Sequence, residues 1–216
     1  MELMRYVIED RGHPKRLLVL LHGHDSSECE AVALGPLVDP AQRYLVVGLR
    51  APLPHGTGRA SWYENGPSGP IPTSFESAGE LVATAVKGIC QERHLEAEET
   101  VIVGFSQGAS VAMAVALEPS CPVPAGVVSL NGFFPEVDGL ELDWGRSGLL
   151  HVLVVHGRND DIVPVDFGRD LAETLRDHGS RVTYVETDAG HQLTVEGVAA
   201  VRDWLAALPK PAEDQH

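Results

Sequence analysis

The sequence has few cysteines, few basic residues and no long apolar run, and each shortage excludes a class of protein. Three cysteines at irregular spacing cannot form a disulfide framework, so we expect free thiols in a reducing compartment. Sixteen Lys and Arg residues against 31 Asp and Glu give a net charge of −15, which argues against nucleic acid as a partner and against stable membrane anchoring. The first long apolar run, residues 17–21, is shorter than a signal-peptide core or a membrane span. We therefore expect a cytoplasmic protein.

Short apolar runs alternate with amphipathic stretches along the chain. The runs are apolar at consecutive positions, as in strands buried on both faces of a parallel sheet. Their alternation with helical stretches predicts an α/β fold with a mostly parallel sheet and helices on both faces. We expect one domain over residues 1–208 and a solvated tail over 209–216. The six predicted strands are 17–21, 44–49, 100–103, 126–130, 152–155 and 182–185.

Four helices are predicted between these strands. A capping box, Thr73-x-x-Glu76, indicates the start of the first, and the run 109–117 is apolar all round, as expected of a buried helix. Two long segments, 52–73 and 131–148, break the pattern and are expected to be loops that carry part of a site. The apolar stripes of the other helices are Phe167, Leu171 and Leu175, and then Val198, Val201, Leu205 and Leu208.

Ser106 lies between two glycines, Gly104 and Gly108, where an apolar run gives way to a helical one. This is the pattern of a nucleophile elbow, a sharp strand-to-helix turn that exposes a serine hydroxyl. Glycine removes the Cβ atoms that would clash in the turn, and the helix N-terminus offers N–H groups to an anion. The pattern predicts an acyl-serine intermediate. A glycine-rich turn with a solvated serine is the alternative, so a base and an acid must also be found.

A base and an acid follow later in the chain, each after a predicted strand. Serine needs a nearby base oriented by a carboxylate, and in this type of fold the chain order is Ser, acid, His. His191 follows the last strand, whereas Asp160 and Asp161 compete as the acid after the strand before it. For the oxyanion, we expect the backbone N–H groups of Gln107 and His24 as donors.

Six ordered motifs, spread from about residue 17 to residue 205, make the chain resemble the carboxylesterase/phospholipase branch of the α/β-hydrolases, which includes bacterial carboxylesterases and acyl-protein thioesterases. They are Leu21-His22-Gly23, Leu49-Arg50-Ala51-Pro52, Ala60-Ser61-Trp62-Tyr63, Gly104-Phe105-Ser106-Gln107-Gly108, His156-Gly157-x-x-Asp160-x-x-Val163-Pro164 and Gly190-His191.

The resemblance implies an α/β-hydrolase fold with a minimal cap and a triad of Ser106, Asp160 and His191, without a metal or cofactor. It assigns the acid to Asp160 and the oxyanion N–H groups to His24 and Gln107. The chain departs from the family pattern at Asp25, where glycine is usual. A carboxylate beside an oxyanion hole would oppose negative charge there, which bears on substrate preference.

From these features we expect a serine hydrolase that cleaves carboxylic esters, or thioesters, of short to medium acyl chains. Its partner would be a small-molecule ester. The sequence leaves open whether the protein forms a homodimer. Two alternatives remain open: a lysophospholipase or acyl-protein thioesterase acting on long chains, and a non-catalytic small-molecule binding protein. The residues predicted to bind substrate are Leu53, Trp62, Phe133 and Phe134.

Overall fold

The structure is a computed structural model that describes residues 5–7, 14, 16–67, 69–134 and 136–209. The predicted tail, from residue 210 onwards, lies outside the described residues. The strands are β1 (Arg5–Val7), β2 (Arg16–Leu21), β3 (Tyr44–Leu49), β4 (Leu53–His55), β5 (Arg59–Ser61), β6 (Asn65–Gly66), β7 (Gly69–Pro70), β8 (Thr100–Phe105), β9 (Gly126–Leu130), β10 (His151–Gly157) and β11 (Arg181–Thr187). The α-helices are α1 (Glu28–Val32), α2 (Gly35–Val38), α3 (Pro72–Arg93), α4 (Gln107–Leu117), α5 (Val165–Asp177) and α6 (Val195–Ala207), and 3-10 helices cover Ala97–Glu99 and Trp144–Leu149.

The central sheet has the strand order β1-β3-β2-β8-β9-β10-β11. In this sheet β3, β2, β8, β9, β10 and β11 pair in parallel, each with the next. The short edge strand β1 pairs with β3 and runs antiparallel to it. All six strands predicted from the sequence form, and together they make the parallel part of the sheet. The predicted α/β fold is therefore confirmed. The carboxyl ends of β8, β9, β10 and β11 meet at one edge of the sheet, which is where ligands bind in such folds.

The core has two layers, one on each face of the sheet. Alternate residues of β2 point to opposite faces: Leu17 and Val19 belong to the layer that contains residues of α3, α4 and α5, whereas Leu18 and Leu20 belong to the layer that contains residues of α1, α2 and α6. Helix α4 is buried along its whole length, as its all-round apolar sequence predicts. Within the described part of the chain, no helix combines the length and apolarity that crossing a membrane requires.

Two local predictions need correction. Helix α3 begins at Pro72 with Ile71 as its N-cap, so Thr73 and Glu76 lie inside the first turns and form no capping box. Proline is well suited to the first helical position because its missing N–H would have no partner there. In α5, Leu171 is buried but Phe167 is 48% exposed, so the predicted apolar stripe begins one turn later.

The segment 52–73 is more ordered than a plain loop. It contains two hairpins, β4–β5 and β6–β7, and runs directly into α3. An isolated bridge between Ser26 and Ala60 joins the first hairpin to the loop after β2. This bridge places the hairpin beside the carboxyl end of β2.

Candidate active site

Ser106 lies at the turn between β8 and α4 in a strained backbone conformation. Its φ of 51° and ψ of −117° are rarely adopted by residues other than glycine, and its N–H donates to the Leu130 carbonyl at 2.9 Å. The two flanking glycines are required by space. A Cβ atom at Gly104 would lie 2.3 Å from the Gly108 carbonyl oxygen, and one at Gly108 would lie 2.5 Å from the His22 carbonyl oxygen. The packing explains the Gly-x-Ser-x-Gly pattern.

The structure joins His191 to Asp160 at the carboxyl edge of the sheet. The Nδ1 atom of His191 lies 2.7 Å from Oδ2 of Asp160, whose side chain is fully buried. Ser106 and His191 line the same cavity, and the ring of Phe105 lies 5.0 Å from the imidazole ring. The residues predicted as acid and base are thus in direct contact, and the predicted nucleophile borders the same cavity as the base.

The carboxylate of Asp160 is held by hydrogen bonds to both oxygens. Oδ1 accepts from the backbone N–H groups of Ile162 and Val163 at 3.0 and 2.8 Å, and Oδ2 accepts from Asn131 Nδ2 at 2.7 Å as well as from His191. Burial alone would raise the pKa of Asp160, but these hydrogen bonds outweigh it and lower the pKa below its ordinary value. The group is therefore a stable anion at neutral pH.

The neighbouring Asp161 is exposed, whereas Asp160 is the residue whose carboxylate accepts from the Ile162 and Val163 N–H groups and from His191. The loop geometry therefore favours Asp160 over Asp161 as the partner of His191.

His156, near the end of β10, is fully buried and its Nε2 lies 2.8 Å from the Val163 carbonyl oxygen. Because Nε2 donates to that carbonyl, Nδ1 is unprotonated. Burial lowers the pKa of His156, so the ring is neutral at neutral pH.

Gln107 and His24 lie where the two oxyanion donors are predicted. Gln107 is the first residue of α4, directly after Ser106, and His24 lines the same cavity as Ser106. The Gln107 side chain has a structural role: its Oε1 accepts from the backbone N–H of Trp62, and its Nε2 donates to the Tyr63 carbonyl, both at 2.8 Å. Its backbone N–H remains the group that would face an oxyanion.

Asp25, the departure from the family pattern, occupies a left-handed backbone position with φ of 50°. Glycine adopts this conformation freely, and Asp is among the few other residues that tolerate it. Its backbone N–H donates to Ser61 Oγ at 3.1 Å, and its carboxylate oxygen lies 3.6 Å from Arg59 Nη1. Arg59 also donates to the Asp25 carbonyl at 2.8 Å. The Arg59 guanidinium therefore partly neutralises the negative charge of Asp25 beside the predicted oxyanion hole.

Ser106 and His191 border a cavity of about 540 Å³ on the α1 face of the sheet. Three charged residues with half-exposed side chains also line it: Asp25 from the loop after β2, Glu30 from α1 and Arg59 from β5. Most of the lining surface is apolar, which suits a hydrocarbon chain. The apolar side chains that line it are Leu20, Leu21, Ala31, Leu34, Val103, Phe105, Leu130, Ile162 and Leu193.

The four residues predicted to bind substrate are not among those that line this cavity. Trp62 is fully buried and its ring N–H donates to the His22 carbonyl at 2.7 Å, so the prediction that it contacts substrate is corrected to a structural role. Phe134 stacks on Trp144 with ring centroids 5.3 Å apart, and Leu53 pairs with Ser61 in the β4–β5 hairpin. Phe133 is half-buried and meets Phe167 edge to face. Substrate contacts by Leu53, Phe133 and Phe134 stay predictions.

Sequence reasoning missed two residues of this site, Asn131 and Arg59. Asn131 directly follows β9, so the rule that located Asp160 and His191 at strand ends would also have found it. Arg59 gave no comparable signal, because its position depends on the β4–β5 hairpin. Among the residues that the structure describes, no three His, Cys, Asp or Glu side chains come together in a way that could hold a metal ion.

Solved structures share this architecture. A carboxylesterase from Mesorhizobium loti superposes with a TM-score of 0.84 at 21% identity, covering 95% of each chain. Esterase PE8 superposes with a TM-score of 0.82 at 22% identity, covering 97% of this chain and 100% of that one. At these identities the likeness concerns the fold.

Sequence comparisons extend the likeness to named relatives and a family. A putative hydrolase, MhqD, from Bacillus subtilis is 28% identical over an alignment of 214 residues, gaps included, that covers 93% of this chain and 97% of that protein. An acyl-protein thioesterase 1 from Debaryomyces hansenii is 28% identical over 134 residues, 61% of this chain and 57% of that protein. The sequence model of the Phospholipase/Carboxylesterase family matches residues 4–208. Since this match spans nearly the whole chain, the protein belongs to the phospholipase/carboxylesterase family of hydrolases.

Proposed function

We propose that this protein is a serine esterase that cleaves carboxylic esters of short to medium acyl chains through an acyl-serine intermediate. The observation that carries the proposal is the 2.7 Å contact between His191 Nδ1 and Asp160 Oδ2, beside the cavity that Ser106 lines. A buried carboxylate that orients an imidazole next to an elbow serine is the arrangement that acyl transfer needs.

The proposed reaction uses groups of this chain for each proton transfer. Because His191 Nδ1–H is donated to Asp160, Nε2 is the ring nitrogen that accepts the Ser106 proton as the hydroxyl attacks the substrate carbonyl. The imidazolium then protonates the leaving alcohol, and the acyl group stays on Ser106. The same nitrogen next takes a proton from a water molecule, whose oxygen attacks the acyl-serine carbonyl. When the bond to Ser106 Oγ breaks and the acid is released, the imidazolium returns the proton to that oxygen and restores the free enzyme. Asp160 stabilises the imidazolium in both halves.

The tetrahedral intermediates carry their negative charge on the former carbonyl oxygen. The backbone N–H groups of His24 and Gln107 are the proposed donors to this oxygen, and Gln107 adds the favourable dipole of the α4 N-terminus. Each such donor typically contributes about 2.7–4 kcal/mol to the stabilisation of the transition state.

The cavity supports an apolar acyl group as the substrate's buried part. Leu34 and Ala31 of the α1–α2 segment, together with Leu193, line it with apolar side chains, whereas the charged side chains that line it are about half exposed to solvent. Burying each methylene of the acyl chain there would contribute about 0.8 kcal/mol to binding. We therefore propose that the acyl chain enters the cavity and the alcohol part faces solvent.

Thioesters are a second candidate substrate class. The likeness to the Debaryomyces hansenii protein, an acyl-protein thioesterase 1, favours testing them. The nucleophile, base and oxyanion donors would act in the same way, with a thiol as leaving group.

Steady-state hydrolysis of p-nitrophenyl esters from acetate to palmitate, alongside matched acyl thioesters, tests the proposal. We expect the highest kcat/KM at short to medium chains and loss of turnover in Ser106→Ala. Activity that rises steadily towards palmitate would favour the alternative of a lysophospholipase or acyl-protein thioesterase that acts on long chains. Absence of a fluorophosphonate adduct on Ser106 in folded protein would favour a non-catalytic binding protein.

A further inference from the structure

Asn131 occupies an unusual position next to the acid and the base. It is the residue directly after β9, it is 1% exposed, and its φ of 47° lies in the left-handed region. Its side-chain Nδ2 lies 2.7 Å from Oδ2 of Asp160 and 3.2 Å from the carbonyl oxygen of Gly190, the residue before His191. The amide group therefore contacts the acid itself and the loop that carries the base.

The two hydrogen bonds use both N–H groups of one amide. An Asn Nδ2 carries two protons and accepts none, so one can point to Asp160 and the other to Gly190. The backbone N–H of Asn131 is in turn fixed to the Val155 carbonyl at 2.8 Å. The donor is thus anchored to the central sheet, while both of its acceptors lie on loops.

We propose that Asn131 is a positioning residue that holds the Asp160 carboxylate and the His191 loop in register for catalysis. The proposal rests on the proposed esterase function. Asn131 reaches neither Ser106 nor the predicted oxyanion donors in the hydrogen bonds described, so it acts through Asp160 and the base loop.

The other groups near Oδ2 cannot replace this amide. His156 Nε2 is 3.5 Å from Oδ2, and it already donates to the Val163 carbonyl at 2.8 Å. The remaining short contact on Oδ2 is His191 Nδ1, which is the group to be positioned. Consistent with this geometry, the Asn131 hydrogen bond is the largest of the contributions that lower the pKa of Asp160.

Kinetics of Asn131→Gly and Asn131→Asp test the proposal. Glycine keeps the left-handed backbone and removes the amide, whereas aspartate keeps the shape and replaces the donor with an acceptor. We expect kcat for p-nitrophenyl butyrate to fall about 10–100-fold in Asn131→Gly, and further in Asn131→Asp, with KM changed less than about 2-fold. Gln42→Gly, at a remote left-handed residue with φ of 53°, is the matched backbone control and should keep full activity.

A double-mutant cycle with Asp160→Ala separates positioning from a general structural role. If Asn131 acts chiefly through Asp160, the fold-loss in kcat caused by Asn131→Gly is several-fold smaller in the Asp160→Ala background, where only the contact with the Gly190 carbonyl remains. An equal loss in both backgrounds, or a loss confined to KM, would overturn the proposal. Retained turnover in Ser106→Ala would instead defeat the proposed function itself, so the two failures are distinguishable.

Discussion

Asp160 and Asp161 are adjacent in the chain but differ completely in environment. Asp160 is buried and its two oxygens accept hydrogen bonds from Ile162, Val163, Asn131 and His191, whereas Asp161 is exposed. The difference arises because the turn after β10 folds one carboxylate back over its own loop. Only the buried carboxylate can orient the imidazole.

Replacing each aspartate in turn tests this distinction. Asp160→Ala should lower kcat by about 10⁴-fold, since His191 loses the group that sets its tautomer and stabilises its charge. Asp161→Ala is the matched control and should stay within about 2-fold of the parent protein. Steady-state hydrolysis of p-nitrophenyl butyrate measures both, and a larger loss in Asp161→Ala would refute the assignment of the acid.

The left-handed position of Asp25 predicts an inverted order of stability for two small substitutions. Asp25→Ala should lower the free energy of unfolding by about 1–2 kcal/mol relative to Asp25→Gly, because alanine is strained at this φ and glycine is not. The lost contact with Arg59 is common to both variants and is partly exposed, so it adds little. Urea unfolding measures the difference. Equal stability of the two variants would show that the backbone here is not left-handed.

Trp62 is expected to matter for stability and not for substrate affinity. Trp62→Phe removes the ring N–H and leaves the buried His22 carbonyl without that donor, which should cost about 1–3 kcal/mol in the free energy of unfolding. KM for p-nitrophenyl esters should stay unchanged, because the indole is fully buried. A several-fold rise in KM at unchanged stability would restore Trp62 as a substrate contact.

Two buried histidines predict a loss of stability on mild acidification. Burial lowers the pKa of both His22 and His156 from the ordinary value of 6.5. The contacts favour the neutral forms: His22 Nε2 accepts from the Ala51 N–H at 3.1 Å, and the buried Nδ1 of His156 has no acceptor for a second proton among the described residues. As the pH falls below about 6.5, these histidines bind protons in the unfolded chain but stay neutral in the folded chain because their pKa values are lower there. The free energy of unfolding therefore falls.

Urea unfolding at pH 7.5 and pH 5.5 measures this effect. His156→Asn should flatten the pH dependence between these values, whereas His55→Asn, at an exposed histidine, should leave it as it is. Asp160, whose pKa is lowered from 3.8, contributes stability that is lost only at still lower pH. Stability that does not change from pH 7.5 to 5.5 would contradict the buried neutral histidines.

Much of the fold could be predicted because the parallel strands are apolar on both faces. Runs such as 17–21 have no polar position to face water, so they must lie inside the sheet. The edge strand β1 has three residues and carries no such signal. The start of α3 was predicted at a capping box, but Pro72 fixes the first helical φ and overrides that pattern.

The site was predictable where its residues follow strands and unpredictable where it depends on loop packing. Ser106, Asp160 and His191 each follow a parallel strand of the main sheet, and their order in the chain matches their expected order of roles. The cavity, by contrast, forms between the loop after β2, α1 and Leu193, whereas the sequence pointed to aromatic residues in two other loops. Aromatic side chains such as Trp62 are as useful for packing loops as for contacting substrates, and composition does not separate the two uses.

The most direct test of the account is to trap the acyl-enzyme. The protein is mixed with p-nitrophenyl butyrate, quenched in acid within the first turnover, digested, and analysed by peptide mass spectrometry, with Ser106→Ala as control. We predict a butyryl group on the peptide containing Ser106, formed together with a burst of p-nitrophenol, and neither signal in Ser106→Ala. Steady turnover by the parent protein with no acyl group on that peptide, or with the group on another residue, would contradict it.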